Sequence, residues 1–195
     1  YWRGYEQTTR YTYVIDFSSK TLDQIWQDMD DRTRNSIRKA EKSLLRISKT
    51  NDVKRFYEIN KMTFERQKME IPYSFEYVQK IYETFKDVIS MFEAIDSSGN
   101  THAMNFYIAD NRSVYYLMSG ADPDFRSSGA QNKIHWEAIK HFYDKVRYFD
   151  FEGSMIENVE ANFRKFGAVQ KQYFSISNKS ILREIKKVIK LIMKR

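Results

Sequence analysis

The fold of this chain is decided by residues 88–119, which read VISMFEAIDSSGNTHAMNFYIADNRSVYYLMS. Three runs rich in β-branched and aromatic residues, 88–95, 101–109 and 113–119, are separated by Asp-Ser-Ser-Gly-Asn and Asp-Asn-Arg. This pattern predicts an antiparallel meander of three strands, because short polar turns join neighbouring strands. We expect the central sheet of the domain to be built around this meander.

Working outward, hydrophobic spacing and turn residues predict helices before the meander and alternating helices and strands after it. Thr21 and Gln24 form a capping box at the start of a long helix, whose apolar stripe continues to Leu44 with an interruption near Asp30. Two further helices are predicted to begin after Asn51-Asp52 and at Ser74. The predicted strands outside the meander are 11–17, 148–152 and 169–176, and the later helices are 134–142, 159–166 and 180–195.

The resulting order is one strand, three helices, the meander, and then helix, strand, helix, strand, helix. This order favours one α+β (α/β) domain spanning residues 1–195, with a mixed central sheet flanked by helices. The chain starts at Tyr1 rather than Met. We therefore expect a piece of a longer protein, with residues 1–19 as a lead-in strand from a missing N-terminal half.

Composition excludes several classes of function. The 195 residues contain no Cys, which removes thiol nucleophiles, thiolate metal sites and disulfide scaffolds. No HExxH-type spacing is present, so no metal site is predicted. The sequence has no uninterrupted apolar run of about 18 residues and no secretory signal pattern, and we expect a cytoplasmic protein.

The net charge of +7 is concentrated in two segments. Residues 32–55 contain nine Lys or Arg against two acidic residues, and residues 179–195 contain seven against one. Arg34, Arg38, Lys39 and Lys42 fall at helical spacing and form a basic ridge suited to tRNA phosphates or to solvent. The C-terminal helix is amphipathic, which suits docking on its own domain or peripheral contact with the inner face of a membrane.

Residues 126–131, Arg-Ser-Ser-Gly-Ala-Gln, resemble the Q/R-x-x-G-x-G/A turn of GNAT acyltransferases. In that family, the backbone N–H groups of this turn and of the next helix receive the pyrophosphate of acyl-CoA. The resemblance implies a GNAT-like acyl-CoA N-acyltransferase fold. The cofactor-binding residues it implies are Arg126, Ser127, Ser128, Gly129 and Ala130. Gln131 stands where the family has a small residue, and Phe163 stands where a tyrosine often protonates the leaving thiolate.

Five further segments resemble the second half of FemAB-like transferases, first recognised as methicillin-resistance factors that add amino acids to peptidoglycan precursors. These segments are 10–16, 34–42, 64–67, 115–120 and 150–154. The resemblance implies transfer of an acyl or aminoacyl group to an amine of a cell-envelope precursor or amino sugar, with acyl-CoA or aminoacyl-tRNA as donor. An aminoacyl-tRNA-dependent peptidoglycan transferase and an inactive binding module with the same fold remain alternatives.

Acyl transfer to an amine needs a base, oxyanion stabilisation and an acid for the leaving group. Asp150 and Glu152 alternate on the predicted strand 148–152, so they are expected to share one face, with Glu152 the preferred base. Ser119 lies where the preceding strand is expected to splay away and expose backbone N–H groups. Tyr173 or Tyr116 is a candidate acid.

Three residues are candidates for substrate binding. Arg66 and Gln67 end a helix before Ile71-Pro72, where a guanidinium can hold a carboxylate or phosphate of the acceptor. Ser154 follows the predicted strand and offers a hydroxyl. His135 is expected to be structural, because a lone histidine on a helix without a metal or triad partner is more often a core residue.

Overall fold

The computed structural model describes residues 4–153 and 157–178 of the chain. Its strands are β1 (Tyr5–Asp16), β2 (Arg46–Thr50), β3 (Ile89–Ile95), β4 (Thr101–Ala109), β5 (Ser113–Ala121), β6 (Tyr148–Asp150) and β7 (Val169–Asn178). Its helices are α1 (Leu22–Asp28), α2 (Asp31–Lys42), α3 (Val53–Arg66), α4 (Phe75–Phe85), α5 (Ala130–Phe142) and α6 (Glu157–Arg164). The predicted C-terminal helix 180–195 lies outside the described residues.

The seven strands form one sheet in the order β2-β3-β4-β5-β6-β1-β7. All neighbours are antiparallel except β5 and β6, which are parallel. The α+β prediction with a mixed central sheet is confirmed. Strand β1, predicted as a lead-in, lies inside the sheet, where it pairs with β6 on one side and along ten residues with β7 on the other.

Polar side chains begin most of the helices, as the sequence predicts. Thr21 and Gln24 form the capping box of α1, and Asp52 and Ser74 cap α3 and α4. The expected interruption near Asp30 is present, because Asp30 caps a separate helix α2. Arg34 donates from Nη1 to the carbonyl oxygens of Trp26, Gln27 and Met29, and so satisfies the end of α1.

Two hydrophobic cores lie on opposite faces of the sheet. On the first face, α1, α2, α5 and α6 pack on residues such as Ile15, Tyr107 and Phe149. On the second face, α3 and α4 pack on Met91, Met104 and Phe106. These cores follow the strict alternation of side chains along β3 and β4. On the second face, α3 and α4 cover the β3–β5 part of the sheet, and a cavity lies over β6, β1 and β7.

Three local features differ from the sequence prediction. The long helix that the sequence predicts through Leu44 ends at Lys42, because Leu44 takes a left-handed conformation with φ 54° and directs the chain into β2. The sequence missed β2, a short edge strand whose partner residues 91–95 are distant in the chain. The first strand is also longer than predicted, because its N-terminal half is held by β7.

Helix α3 crosses the end of β5 at Gly120 with the two backbones in contact. A Cβ atom at residue 120 would lie 2.4 Å from backbone atoms of Ile59 and Asn60. Real Cβ atoms do not approach backbone so closely, so only glycine permits this crossing. The position of α3 over the end of β5 therefore depends on one missing methyl group.

We expect Gly120→Ala to lower the free energy of unfolding by at least about 2 kcal/mol, because α3 must move off β5. Gly99→Ala is the control, since Gly99 has φ 87° with open space around its Cα. It should cost only the left-handed strain of about 1 kcal/mol. Urea denaturation of both variants measures the difference, and equal losses would show that the crossing is not tightly packed.

Candidate functional site

The strands β5 and β6 are paired over only three residues each. Residues 113–115 pair with residues 148–150 in parallel register. Strand β5 then continues beside β4 to Ala121, whereas the chain after β6 follows β1, with the Phe151 N–H donating to the Tyr13 carbonyl at 2.9 Å. A gap therefore opens between residues 116–121 and residues 151–153, here called the β5–β6 gap.

The β5 side of this gap presents backbone groups that β6 no longer pairs. The Asp122 N–H donates to the carbonyl of His102 on β4, so alternation along the strand turns the peptide groups of Ser119 and Ala121 towards the gap. The side chain of Asn60 donates to the Ser119 carbonyl, and the Thr63 hydroxyl accepts from the Ala121 N–H at 3.0 Å. The Ser119 N–H thus faces the position where an oxyanion would form.

A β-bulge lies just before this point on β5. Tyr116 and Met118 pair with the consecutive β4 residues Tyr107 and Phe106, which leaves Leu117 as the extra residue. The extra residue of a bulge has no partner in the ladder, and the strand bends there. Leu117 is 42% exposed. The bulge therefore adds a second β5 peptide that β4 does not pair at the mouth of the gap.

Asp150 provides the carboxylate on the β6 side. Its Oδ1 atom accepts hydrogen bonds from the Thr12 hydroxyl and, at 2.8 Å, from the Glu152 N–H. Both bonds use the same oxygen, and within residues 4–153 and 157–178 neither a hydrogen-bond donor nor a cation pairs with Oδ2. Burial raises the pKa of the Asp150 carboxyl. Among the described residues, the site thus holds an oriented carboxylate whose second oxygen has no partner.

The prediction that Glu152 continues the strand on the face of Asp150 is wrong. Strand β6 ends at Asp150, and Glu152 has a left-handed backbone with φ 62°. The Asp150 side chain holds the Glu152 N–H, a local turn that competes with strand pairing. Glu152 lies at the surface, where partial burial of its carboxyl and the charge of Asp150 raise its pKa. The geometry favours Asp150 over Glu152 as the base.

The phenols predicted as candidate acids lie on opposite sides of the gap. A Cβ atom at Gly153 would lie 3.1 Å from the Tyr173 hydroxyl, so Tyr173 stands beside the turn that follows Asp150. Burial raises the pKa of Tyr116 to about 12, against a hydrogen bond with Ser119 that lowers it. Tyr116 therefore stays protonated at neutral pH and can donate a proton. Asp150, Glu152 and Tyr173 come together around Gly153, and Ser119 lies on the β5 side.

A cavity of about 520 Å³ lies on the second face of the sheet and includes Asp150 in its wall. Its other lining residues are Thr12, Val14, Asp16, Ser19, Lys20, Ser113, Tyr148, Val169 and Lys171. The cavity is large enough for a small ligand. An acceptor placed there would reach the β5–β6 gap next to the open oxygen of Asp150.

The predicted acyl-CoA loop is packed against α2. Gly129 has φ 82°, and a Cβ atom there would lie 2.2 Å from the Ser36 carbonyl oxygen. The Lys39 ammonium donates to the Ser127 carbonyl at 2.6 Å. The Ala130 N–H is capped by the Ser128 hydroxyl at 3.3 Å. A cavity of only about 120 Å³ remains beside the loop. The loop therefore packs against helix α2 and does not form an open binding site for a pyrophosphate.

The first-face side of the gap is filled with aromatic rings. Phe151 stacks on Phe163 with 5.3 Å between ring centroids, and His135 meets the Tyr116 ring at 4.5 Å. Gln131 extends behind them and donates to the Gly120 carbonyl at 3.0 Å. Suppose that an acyl-CoA bound at residues 126–130, where α5 begins. Among the described residues, these rings leave its thioester end no open path to the gap. The residues present do not fit acyl-CoA in the position that the resemblance implied.

The remaining predicted binding residues are not brought to Asp150. Arg66 and Gln67 lie at the exposed end of α3, and Gln67 bonds the Thr63 carbonyl of its own helix. Ser154 lies outside the described residues. In the basic ridge, Arg34 is committed to the end of α1, and Arg38 lies over the Trp26 ring at 5.4 Å. The ridge therefore offers fewer free cations than its spacing predicts.

The structure assigns His135 to the core. Burial lowers its pKa to about 3, and its Nδ1 lies 2.9 Å from the Tyr107 hydroxyl. The sequence reasoning missed Asn60 and Thr63, which hold the free edge of β5. Asn60 is only 2% exposed, and its Oδ1 also accepts from the Tyr73 hydroxyl at 2.9 Å. The available signal was a polar residue at a buried position of an amphipathic helix, one turn after Phe56.

Within residues 4–153 and 157–178, no three His, Asp or Glu side chains are grouped as metal ligands are. Over the same residues, every helix is too short or too polar to cross a bilayer.

The sequence profile of the acetyltransferase (GNAT) domain matches residues 31–159, more than half of the chain. No curated protein is matched by the sequence.

Solved structures share the fold at low identity. FemX superposes with a TM-score of 0.78 at 14% identity, over 96% of this chain and 65% of that one. L-PGS from Bacillus licheniformis gives 0.64 at 11%, over 98% and 68%. The C-terminal domain of a suggested lysylphosphatidylglycerol synthetase from Agrobacterium fabrum gives 0.66 at 8%, over 91% and 62%. The chain thus spans about two thirds of the length of each.

We expect millimolar CoA or acetyl-CoA to leave the melting temperature of this chain unchanged, because α2 and the aromatic rings occupy the route. A ligand at 100 times its Kd adds about 2.7 kcal/mol, which would raise the melting temperature by several degrees. A saturable rise of that size, abolished in Arg126→Ala, would contradict this assignment of the loop. Differential scanning fluorimetry at two salt concentrations makes the measurement.

Proposed function

The chain belongs to the acetyltransferase (GNAT) domain family, and we propose that it is an acyltransferase. In this proposal it transfers an acyl or aminoacyl group from an activated donor to an amine of a cell-envelope precursor or amino sugar. The observation that carries this proposal is the open Oδ2 of Asp150, held at the β5–β6 gap and in the wall of the large cavity. The donor reaches the β5–β6 gap from the second face of the sheet. Among the described residues, no aromatic rings fill the gap on that face.

The first step activates the amine. An acceptor ammonium in the cavity gives a proton to Asp150 Oδ2, since only the neutral amine has a lone pair for attack. The Thr12 hydroxyl and the Glu152 N–H keep Oδ1 in place, so the carboxylate is oriented before the acceptor arrives. The raised pKa of Asp150 makes it a stronger base than an exposed aspartate.

The second step forms and collapses a tetrahedral intermediate. The neutral amine attacks the donor carbonyl carbon, and the developing oxyanion is met by the Ser119 N–H. Asp150 has by then released its first proton to solvent, so it takes the proton that the attacking nitrogen carries in the intermediate. It passes this proton to the donor's leaving group as the bond to the carbonyl carbon breaks, which leaves the amide product and a free carboxylate. Asn60 acts here as a positioning residue, because it fixes the peptide that follows Ser119.

The cell-envelope part of the proposal is supported by fold relatives. FemX and the suggested lysylphosphatidylglycerol synthetase share this fold. The name of the synthetase describes a product that is an aminoacylated phospholipid. Members of the GNAT fold generally use acyl-CoA, but the seating of α2 on the loop argues against that donor here. The donor that we propose instead is an aminoacyl-tRNA, which the exposed cations Arg32, Lys42 and Arg46 support. We place the reaction in the cytoplasm, at the inner face of the membrane.

We expect Asp150→Asn to lower kcat by at least about 100-fold, because the amide keeps the hydrogen bonds of Oδ1 but cannot take a proton. Glu152→Gln is the matched control and should stay within about threefold of the parent. Transfer is measured with two radiolabelled donors, an aminoacyl-tRNA labelled in its amino acid and an acyl-CoA labelled in its acyl group. The acceptors are lysine-containing peptides and amino sugars.

The reverse result, loss in Glu152→Gln alone, would assign the base to Glu152, as the sequence alone preferred. Absence of transfer by the parent from every donor would favour the inactive binding module.

We also expect Asp150→Asn to raise the melting temperature at pH 7. Burial raises the native pKa of Asp150, so the folded chain binds more protons than the unfolded chain, and stability falls as pH rises above about 4. The gain from Asn should therefore disappear when both forms are melted near pH 4. A loss of stability at pH 7 would show that the charge is compensated in the fold.

A further inference from the structure

The floor of the large cavity is a continuous patch of sheet across four strands. In the pairing register, Ser113 lies beside Tyr148 and Tyr148 beside Asp16, while Asp150 lies beside Val14 and Val14 beside Val169. Lys171 lies beside Thr12, two residues along β1 from Val14. Asp150 and Lys171 therefore flank β1 on the same face, with Cα atoms about 12 Å apart for strands about 4.8 Å apart.

Two of the four charged side chains in the cavity wall are already paired within the fold. Asp16 accepts from Arg147 at 3.1 Å, and Lys20 pairs with Asp28 at 2.7 Å. Among the described residues, Asp150 has no cation and Lys171 has no carboxylate within ion-pairing distance. The cavity thus presents one open negative group and one open positive group on either side of β1.

The surface between these two charges carries no charge of its own. Val14 and Thr12 lie between them on β1, and Val169 lies beside Val14 on β7. The Thr12 hydroxyl is already used, because it donates to Asp150. Methylene groups gain free energy on the valine side chains, whereas a second charged group would lose its hydration there.

We propose that this cavity binds an amine acceptor that carries its own carboxylate at the far end of a methylene chain, as an ω-amino acid does. The ammonium meets Asp150, the methylene chain crosses β1 at Val14 and Thr12, and the carboxylate meets Lys171. This inference rests on the proposed function for the use of the amine, but the binding of the zwitterion is independent of any donor. Lys171 then determines which amines are held at the gap.

The test uses 6-aminohexanoate, hexylamine and hexanoate as probes, titrated into the chain by calorimetry at low salt. We expect 6-aminohexanoate to bind about tenfold more tightly than either probe with one charge, since each end adds a charge-assisted contact. Lys171→Met should remove this preference and leave hexylamine binding unchanged. Lys54→Met, which changes an exposed lysine on α3, is the control and should keep the preference.

Equal binding of 6-aminohexanoate and hexylamine, with no effect of Lys171→Met, overturns the inference and leaves the proposed acyl transfer standing. Preferential binding that is lost in Lys171→Met, in a chain that transfers no acyl group from any donor, supports the cavity assignment and contradicts the proposed function. Thermal melts of each variant establish that the loss arises in a folded chain.

Discussion

The hydrogen bonds received by Asp150 Oδ1 are the constraint on which the rest of the site depends. The bond from the Glu152 N–H accompanies the end of β6 after three residues and holds Glu152 itself in a left-handed conformation. Without that turn, the chain would be free to continue beside β5 and close the gap with backbone hydrogen bonds. The same contact therefore opens the site and leaves the second carboxyl oxygen facing the cavity.

Opening a sheet leaves backbone groups that need partners, and the fold supplies them from α3. Asn60 and Thr63 bond the peptide groups of Ser119 and Ala121 that a longer β6 would have paired. They can do so because Gly120 allows α3 to lie directly on the strand. The free edge is thus held rigidly, and a rigid donor stabilises a developing oxyanion without reorganising.

Two features of the site lower the stability of the folded chain. A partly buried carboxylate without a cation and a non-glycine residue at φ 62° each cost free energy in the folded chain. The two large cores and the seven-stranded sheet offset that cost elsewhere. The distribution is the one expected where a polar site is built for reaction, because packing alone would favour an apolar residue at Asp150.

The sequence by itself determined the meander, most helix starts, the α+β class and the placing of Asp150 and Glu152 at one strand. These features depend on local spacing, caps and turns, which act over a few residues. Tertiary structure alone decided the pairing of β2, because its partner residues 91–95 are distant in the chain. The turn at Glu152 is a local contact with the Asp150 side chain, which the Thr12 hydroxyl of β1 holds in place. Tertiary structure also decided the packing of α2 on Gly129 and the hydrogen bond from Asn60 to Ser119, since these contacts join segments far apart in the chain. The choice of Asp150 over Glu152 has a similar reason. The Thr12 hydroxyl on β1 and the backbone turn at Glu152 orient the Asp150 carboxylate. The spacing of residues along β6 predicts neither contact.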